Sequence, residues 1–312
     1  MGRFGSFLKW VLIDRPRDPR RNGDSPLAFA AAHPRAEPSF PTPRAVSDMI
    51  VLTWIGHSSF LIQIGGYNIL TDPVWSRHAS PVQFAGPRRW VEPGVPFEAL
   101  PPIDAVVISH DHYDHLDRPT VERLARLTPA PRWFAPLGVG GWLRARGATD
   151  VVERDWWEST SLPGGTLQLT ATPAQHFSGR RMDNRNGTLW CGWVLRAGAR
   201  AVYFVGDSGY QPAIADVGRR LGPFDAVCMP IGAYDPEWFM GPVHTNPEHA
   251  VATFRTLASP AAVMAGMHWG TFKLTDEPMD EPPRRTAAAW AAAGLAADRL
   301  WIPRHGETRR IG

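Results

Sequence analysis

From Met49 onward, short apolar runs alternate with turn residues. Residues 51–72, VLTWIGHSSFLIQIGGYNILTD, form a run of β-formers interrupted at Gly65-Gly66, which predicts a hairpin. Strand-length apolar runs recur at 104–109, 166–171, 189–195, 201–205, 225–229 and 261–265. Helical signals fall between them. Asp117 ahead of Pro119 predicts a helix start, with Val121, Leu124 and Leu127 on one face. Asn246-Pro247-Glu248 predicts another, carried on by Ala250, Val251, Phe254 and Leu257. Residues 286–293 predict a third, closed by Gly294. Strands first, then strands alternating with helices, predict a layered α/β protein with sheets inside and helices outside.

Residues 14–45 carry Pro, Arg and small residues without lasting periodicity and read as an extended arm or linker. The expected division is therefore a basic Pro/Arg-rich arm over 1–45 and one large domain over 46–312. Charge supports it. Residues 1–45 hold eight Lys/Arg against four Asp/Glu, while the whole chain is only +3, so the body is about neutral. A neutral body argues against tracking of nucleic acid, which needs a basic stripe. Cys191 and Cys228 sit in apolar runs outside any C-x-x-C pattern and read as buried free thiols. No run reaches the roughly 20 apolar residues of a membrane span. The N-terminus lacks a signal-peptide pattern, and Met1-Gly2 with Ser6 fits the short myristoylation pattern only at chance level. The expectation is a cytoplasmic protein with at most peripheral membrane contact. Phe4, Phe7, Leu8, Trp10 and Val11 in the basic arm are the candidates for touching anionic lipid.

The chemistry concentrates in SHDHYDHLD, residues 109–117. An apolar strand ends at Ser109, and His110, His112, Asp114 and His115 follow within six positions. A strand end and a tight loop can aim four such side chains at one point. Imidazole nitrogens and carboxylate oxygens without thiolate suit zinc, with manganese or iron as alternatives.

H-x-H-x-D-H is the signature of the metallo-β-lactamase superfamily, and the chain resembles it there. The resemblance implies an αββα sandwich of two mixed sheets flanked by helices. It also requires a later His, an Asp at a strand end and a further His. His176 in PAQHF, Asp207 in YFVGDSG and His268 in AGMHWG occur in that order. By the same resemblance, one metal takes His110, His112 and His176. The other takes Asp114, His115 and His268. Asp207 bridges both together with a water, which two cations convert to hydroxide near neutral pH. Outer groups must fix the imidazole tautomers, and Asp72, Asp111 and His57 are the candidates.

Segments beyond that signature carry a narrower likeness: 70–90, 100–117, DWWE at 155–158, 222–240, VHTNPEHAV at 243–251 and MHWGTFKL at 267–274. Together they resemble the N-acyl-phosphatidylethanolamine-hydrolysing phospholipase D family over about residues 50–310. The likeness implies a dinuclear zinc phosphodiesterase that releases N-acylethanolamine and leaves phosphatidic acid, with the metal-bridging hydroxide attacking phosphorus. Asp114, Asp207 and His244 are then the catalytic candidates. His244 matches a family histidine near the phosphate, although this chain has Val243 where the animal enzymes have Gln. Trp75, Phe84, Trp90, Trp238, Phe239 and Met240, in Gly/Pro-rich loops, are the candidates for an apolar substrate groove. The expected partners are a phospholipid or other phosphodiester, a membrane surface and a second copy in a homodimer, with no nucleic acid. The alternative is a same-fold hydrolase of another substrate, such as a sugar-phosphate lactone.

Overall fold

The computed structural model describes residues 25–180, 184–257 and 261–312. The lipid-contact candidates from Phe4 to Val11 lie outside them. One sheet contains β1 (Ile50–Gly56), β2 (Ser59–Ile64), β3 (Tyr67–Thr71), β4 (Ala105–Val107), β5 (Arg132–Pro136), β6 (Val151–Arg154) and the C-terminal β14 (Thr308–Ile311). Their spatial order is β14-β1-β2-β3-β4-β5-β6. The other contains β7 (Ser159–Ser161), β8 (Leu167–Thr172), β9 (Gly192–Ala197), β10 (Arg200–Phe204), β11 (Ala226–Pro230), β12 (Val263–Met267) and β13 (Leu300–Trp301), in the order β13-β12-β11-β10-β9-β8-β7. Each sheet is half antiparallel and half parallel: β14 to β3 and β7 to β10 pair antiparallel, β3 to β6 and β10 to β13 parallel. This is the expected sandwich of two mixed sheets.

The hairpin forms where the glycines predict it. Ile64 pairs with Tyr67, and Gly65 and Gly66 both take positive φ, as a two-residue turn matched to strand twist requires. The strands read as continuous apolar runs because both faces of the sheet are covered. In β2, Phe60, Ile62 and Ile64 enter the core between the sheets, while Leu61 faces the outer layer. In β5, Phe134 points in and Trp133 and Ala135 point out.

Helices close both outer faces: α2 (Arg118–Leu124) and α3 (Gly140–Arg144) beside the first sheet, and α4 (Ile214–Leu221), α6 (Pro247–Leu257) and α7 (Glu281–Ala292) beside the second. A short α5 (Glu237–Met240) precedes α6. Helix α7 begins five residues before the predicted 286, because Pro282 occupies a first-turn position where its missing N–H costs nothing. Cys191 and Cys228 are buried free thiols. Among the described residues, no helix is long and apolar enough to cross a membrane.

Residues 25–45 differ from a free linker. Pro26–Ala32 form α1, capped by Ser25, and Phe29 is buried against the core with its ring edge-on to Trp90 at 5.7 Å. Farther on, the Ala36 N–H donates to the His305 carbonyl, Gln63 donates to the Pro41 carbonyl and Arg44 pairs with Asp104. The segment behaves as a strap on the sandwich. Phe29→Ala is expected to lower unfolding free energy by about 3 kcal/mol, the ordinary cost of emptying a buried aromatic site. Denaturant titration checks this, and an unchanged midpoint would mean the strap contributes nothing.

Candidate metal centre

In an open α/β sheet, functional side chains gather beyond the carboxyl ends of parallel strands. Both halves of this sandwich obey that rule at one edge. His110 and the loop to Leu116 follow β4, Asp72 follows β3, Asp207 follows β10 and His268 follows β12. His57 and His176 come from just beyond β1 and β8. Gly206 lets the two sheets meet here. Its φ is +67°, and a Cβ would stand 2.9 Å from both the Cys191 carbonyl oxygen and the Ser109 Cβ.

The structure brings all seven predicted ligands together. His110, His112 and His176 form one set of converging donor atoms, and Asp114, His115 and His268 form another that also includes His57. Asp207 Oδ2 stands between them, 3.1 Å from His115 Nε2, 3.0 Å from His268 Nε2, 4.0 Å from His110 Nε2 and 3.9 Å from His176 Nε2. Five of the seven are buried. His112 and Asp114 are half-buried, so the cluster opens to solvent on their side.

Hydrogen bonding fixes the tautomers of three imidazoles. Ser109 Oγ gives its one proton to Asp72 Oδ2 at 2.5 Å, so it must accept from His110 Nδ1 at 2.9 Å. His115 Nδ1 donates to Asp72 Oδ2 at 2.7 Å, and His176 Nδ1 donates to the Val243 carbonyl at 2.8 Å. As a neutral ring, each therefore turns an Nε2 lone pair inward. His110 Nε2 and His176 Nε2 both face His112 Nδ1, at 2.9 and 3.2 Å. One N–H on His112 cannot serve both. Across the site, His115 Nε2 faces His268 Nε2 at 3.2 Å beside two carboxylates. Asp207 Oδ1 finds no partner among the described residues. Such a shortage of protons fits cations. Ligand atoms around tetrahedral zinc at 2.0–2.1 Å stand about 3.3 Å apart, close to the spacings here.

The electrostatics divide the same way. Burial, reinforced by the neighbouring imidazoles, holds His110 well below the usual histidine range. Burial likewise lowers His176 and His112. On the other side burial opposes charge on His115 and His268, but Asp207 and Asp114 outweigh it. His115 rises well above its usual value and His268 to about 9. Burial disfavours ionised Asp114 and Asp207, yet the adjacent imidazoles hold both well below the carboxylate range.

Outer contacts vary among the candidates. Asp72 accepts from His115 and from both the backbone and hydroxyl of Ser109, tying the two loop histidines to β3. His57 Nε2 lies 2.9 Å from Asp114 Oδ2, and its ring lies 4.1 Å from that of His268. Burial lowers its pKa to about 3, so it donates as a neutral ring. Asp111 holds none of the imidazoles: its Oδ1 accepts from the Gly179 N–H, because its side chain leaves the loop on the other side from its neighbours. His244 is buried beside His176 and His268, with Nδ1 3.8 Å from Asp207 Oδ2 and otherwise without a partner among the described residues.

The groove candidates separate. Trp75 stacks edge-on to Phe97 and donates to the Val95 carbonyl, and Trp90 packs against Phe29, so both rings are partly covered by the body. In each case a loop aromatic found apolar cover within the body. Phe84, Trp238 and Phe239 are exposed, and Met240 is half-buried with its carbonyl accepting from the His244 N–H. A cavity of about 460 Å³ is lined by Gln83, Asp111, Tyr113, Trp142 and Arg180 among others, and by none of these four.

Sequence reasoning passed over the tryptophans as positioning groups. Trp193 donates to the Ile108 carbonyl, Trp190 to the Ala174 carbonyl and Trp54 to the His57 carbonyl, at 2.8, 2.9 and 2.8 Å. Each pins backbone at, or two residues before, a site histidine.

Comparison with known proteins agrees with this fold. The family described as the beta-lactamase superfamily domain matches residues 67–269. The chain is 42% identical over 271 residues to an "uncharacterized protein" of Mycobacterium tuberculosis, covering 84% of this chain and 71% of that one. It is 41% identical over 230 residues to N-acyl-phosphatidylethanolamine-hydrolyzing phospholipase D 1 of Caenorhabditis elegans, covering 71% of this chain and 64% of the worm enzyme. Among solved structures, the isothiocyanate hydrolase from Delia radicum gut bacteria superposes with a TM-score of 0.66 at 21% identity, over 84% of this chain and 99% of the other, a likeness of fold.

Asp72→Asn keeps the shape of this centre and removes the charge that orients His115. It is expected to weaken metal binding about 10–100-fold. Competition with a chromophoric chelator reads this, and unchanged affinity would refute the orienting role.

Proposed function

Because this chain belongs to the beta-lactamase superfamily, we propose that it is a dinuclear zinc phosphodiesterase acting on N-acyl-phosphatidylethanolamine-like phospholipids. The observation that carries the reading is Asp207 standing between two sets of converging donor atoms, with its Oδ1 unpartnered among the described residues. His110, His112 and His176 would hold one cation, Asp114, His115 and His268 the other, and Asp207 both. When bound there, such ions supply a water acidified to near neutral pH and positive charge beside a phosphoryl group. The worm homologue, named for hydrolysis of N-acyl-phosphatidylethanolamine, suggests the substrate class.

This chain's own residues then have defined work. In the overall reaction, water adds to phosphorus, the bond from phosphorus to the ethanolamine oxygen breaks, and N-acylethanolamine leaves phosphatidic acid behind. His244 Nδ1 faces the site without a partner, and burial lowers its pKa to about 4. A neutral ring at that place donates a hydrogen bond to a phosphoryl oxygen in preference to delivering a proton. Asp114 is held by His57 and stays ionised. Exposed Trp238 and Phe239, a few residues before His244, offer apolar contact to acyl chains or to the membrane that presents them.

Zinc-loaded protein is expected to release N-acylethanolamine and phosphatidic acid in equal amounts from vesicles containing the N-acyl lipid, and chelation is expected to stop it. Turnover of a lactone panel without cleavage of lipid or of bis(p-nitrophenyl) phosphate would favour the lactonase alternative. Asp207→Asn should cost more than about 100-fold in kcat, exceeding the loss of an outer partner. His244→Ala should cost about 10–100-fold, the worth of one hydrogen bond to a charged group, with metal content unchanged. Loss of metal in His244→Ala would contradict the assigned role.

A further inference from the structure

Two chain segments supply the all-nitrogen donor set, and they lie far apart in sequence. His110 and His112 belong to the loop after β4, which turns back on itself through N–H bonds from His115 and Leu116 to the His112 carbonyl, at 3.1 and 2.8 Å. His176 belongs to the segment after β8. Fixing the three nitrogens relative to one another requires a tie between the segments that does not depend on an ion.

We propose that Arg180 is a positioning residue for the His110, His112 and His176 set, clamping the loop at 110–116 to the segment that carries His176. Its Nη1 donates to the Asp111 carbonyl at 2.8 Å and to the Leu116 carbonyl at 2.7 Å. A single nitrogen thus bridges the two ends of the ligand-bearing turn. Two further bonds run between the same segments: the Gly179 N–H donates to Asp111 Oδ1 and the Tyr113 hydroxyl donates to the Arg180 carbonyl, each at 2.9 Å. The guanidinium lies over the rings of Tyr113 and Trp142, at 4.2 and 4.4 Å, which fixes its plane. Arg180 remains a cation at neutral pH, since burial lowers its pKa only to about 10. The other side of the segment is already secured, because Ser178 exchanges hydrogen bonds with Asn186 and Thr188. The clamp therefore ties the segment that carries His176 directly to the loop that carries His110 and His112. Outer contacts of this kind control metal affinity by holding ligands in place before the ion arrives.

The inference rests on the two-cation reading, and the test separates the two. Wild type, Arg180→Met, Arg180→Lys and Asp72→Asn are equilibrated in zinc buffers, with bound zinc counted per chain and melting followed in the metal-free state. Arg180→Met retains the long apolar stem and loses the donors. It is expected to bind one equivalent about 10–100-fold more weakly and to leave the other unchanged. Asp72→Asn weakens the equivalent held beside His115 as well, because Asp72 also anchors His115. Arg180→Lys should recover part of the loss, since an ammonium can still donate to two carbonyls. A lowered metal-free melting temperature with both zinc affinities intact would make Arg180 a structural residue and overturn the proposal. So would intact affinities with a raised KM for lipid, which would make it a substrate contact. If wild type binds a single zinc, the two-cation reading fails, and the clamp stands or falls on whether Arg180→Met weakens that one ion.

Discussion

Imidazole lone pairs and two ionised carboxylates facing one another out of reach of most water set the terms for everything else in this molecule. Unpaired charge in a protein interior is costly, and buried acceptors without donors are nearly as costly. The described residues do not resolve the conflict: Asp207 Oδ1 has no partner, and the inward nitrogens of His110 and His176 compete for one proton on His112. The raised pKa values of His115 and His268 show how the field would be met in the absence of ions, by retaining protons against burial. Cations meet it better, since they bring more charge to the centre and accept several lone pairs at once.

Holding such an arrangement needs a stiff frame. His57, Asp72 and His268 all adopt positive φ, at 54°, 33° and 63°, a backbone state that costs each of them about 1–3 kcal/mol. The compensation is visible. The His57 carbonyl accepts from Trp54 and from the His268 N–H, the His57 N–H donates to Thr271, and Asp72 accepts three hydrogen bonds. Strain at three site residues is thus locked by contacts with the sheets. Three tryptophans stiffen the same frame. A buried indole contributes large apolar area and one directed donor, and at Trp54, Trp190 and Trp193 that donor aims at the backbone beside a site histidine.

Much of this was legible in the sequence because the metal-ligand pattern is local. His110, His112, Asp114 and His115 needed only a strand and a turn to converge. His176, Asp207 and His268 could be placed by their order and by the apolar runs before them, since the carboxyl ends of those strands share one edge of the sandwich. Other features depend on pairings that no local pattern carries. Strand β14 forms because Thr308–Ile311 meet β1, from which they are separated by most of the chain. Helix α1 forms because Phe29 finds cover against Trp90, not because Pro26–Ala32 repeat at helical spacing. Asp111 looked like an imidazole partner by proximity alone, but alternation along the loop sends its side chain to Gly179. Trp75 and Trp90 looked like groove residues because they lie in loops, yet Trp75 folds back onto the Val95 carbonyl and Trp90 onto the Phe29 ring. Arg180 has no motif at all. Its meaning is a bridge between two carbonyls five residues apart.

The same division bears on substrate choice. Donor convergence constrains metal chemistry, and it would serve a phosphodiester, a lactone or another hydrolysable group equally well. What distinguishes them must come from residues that the centre does not need for its own stability. We take His244 to meet that condition: it is buried, its Nδ1 faces the site with no partner among the described residues, and its N–H donates to the Met240 carbonyl. Phe84, Trp238 and Phe239 meet it too, since exposed rings add little to folding. A phosphoryl oxygen needs a donor where His244 stands, and long acyl chains need apolar surface near it. A small sugar phosphate needs the first and gains nothing from the second. The exposed aromatic pair immediately ahead of His244 is therefore the local feature that tilts the reading toward a lipid.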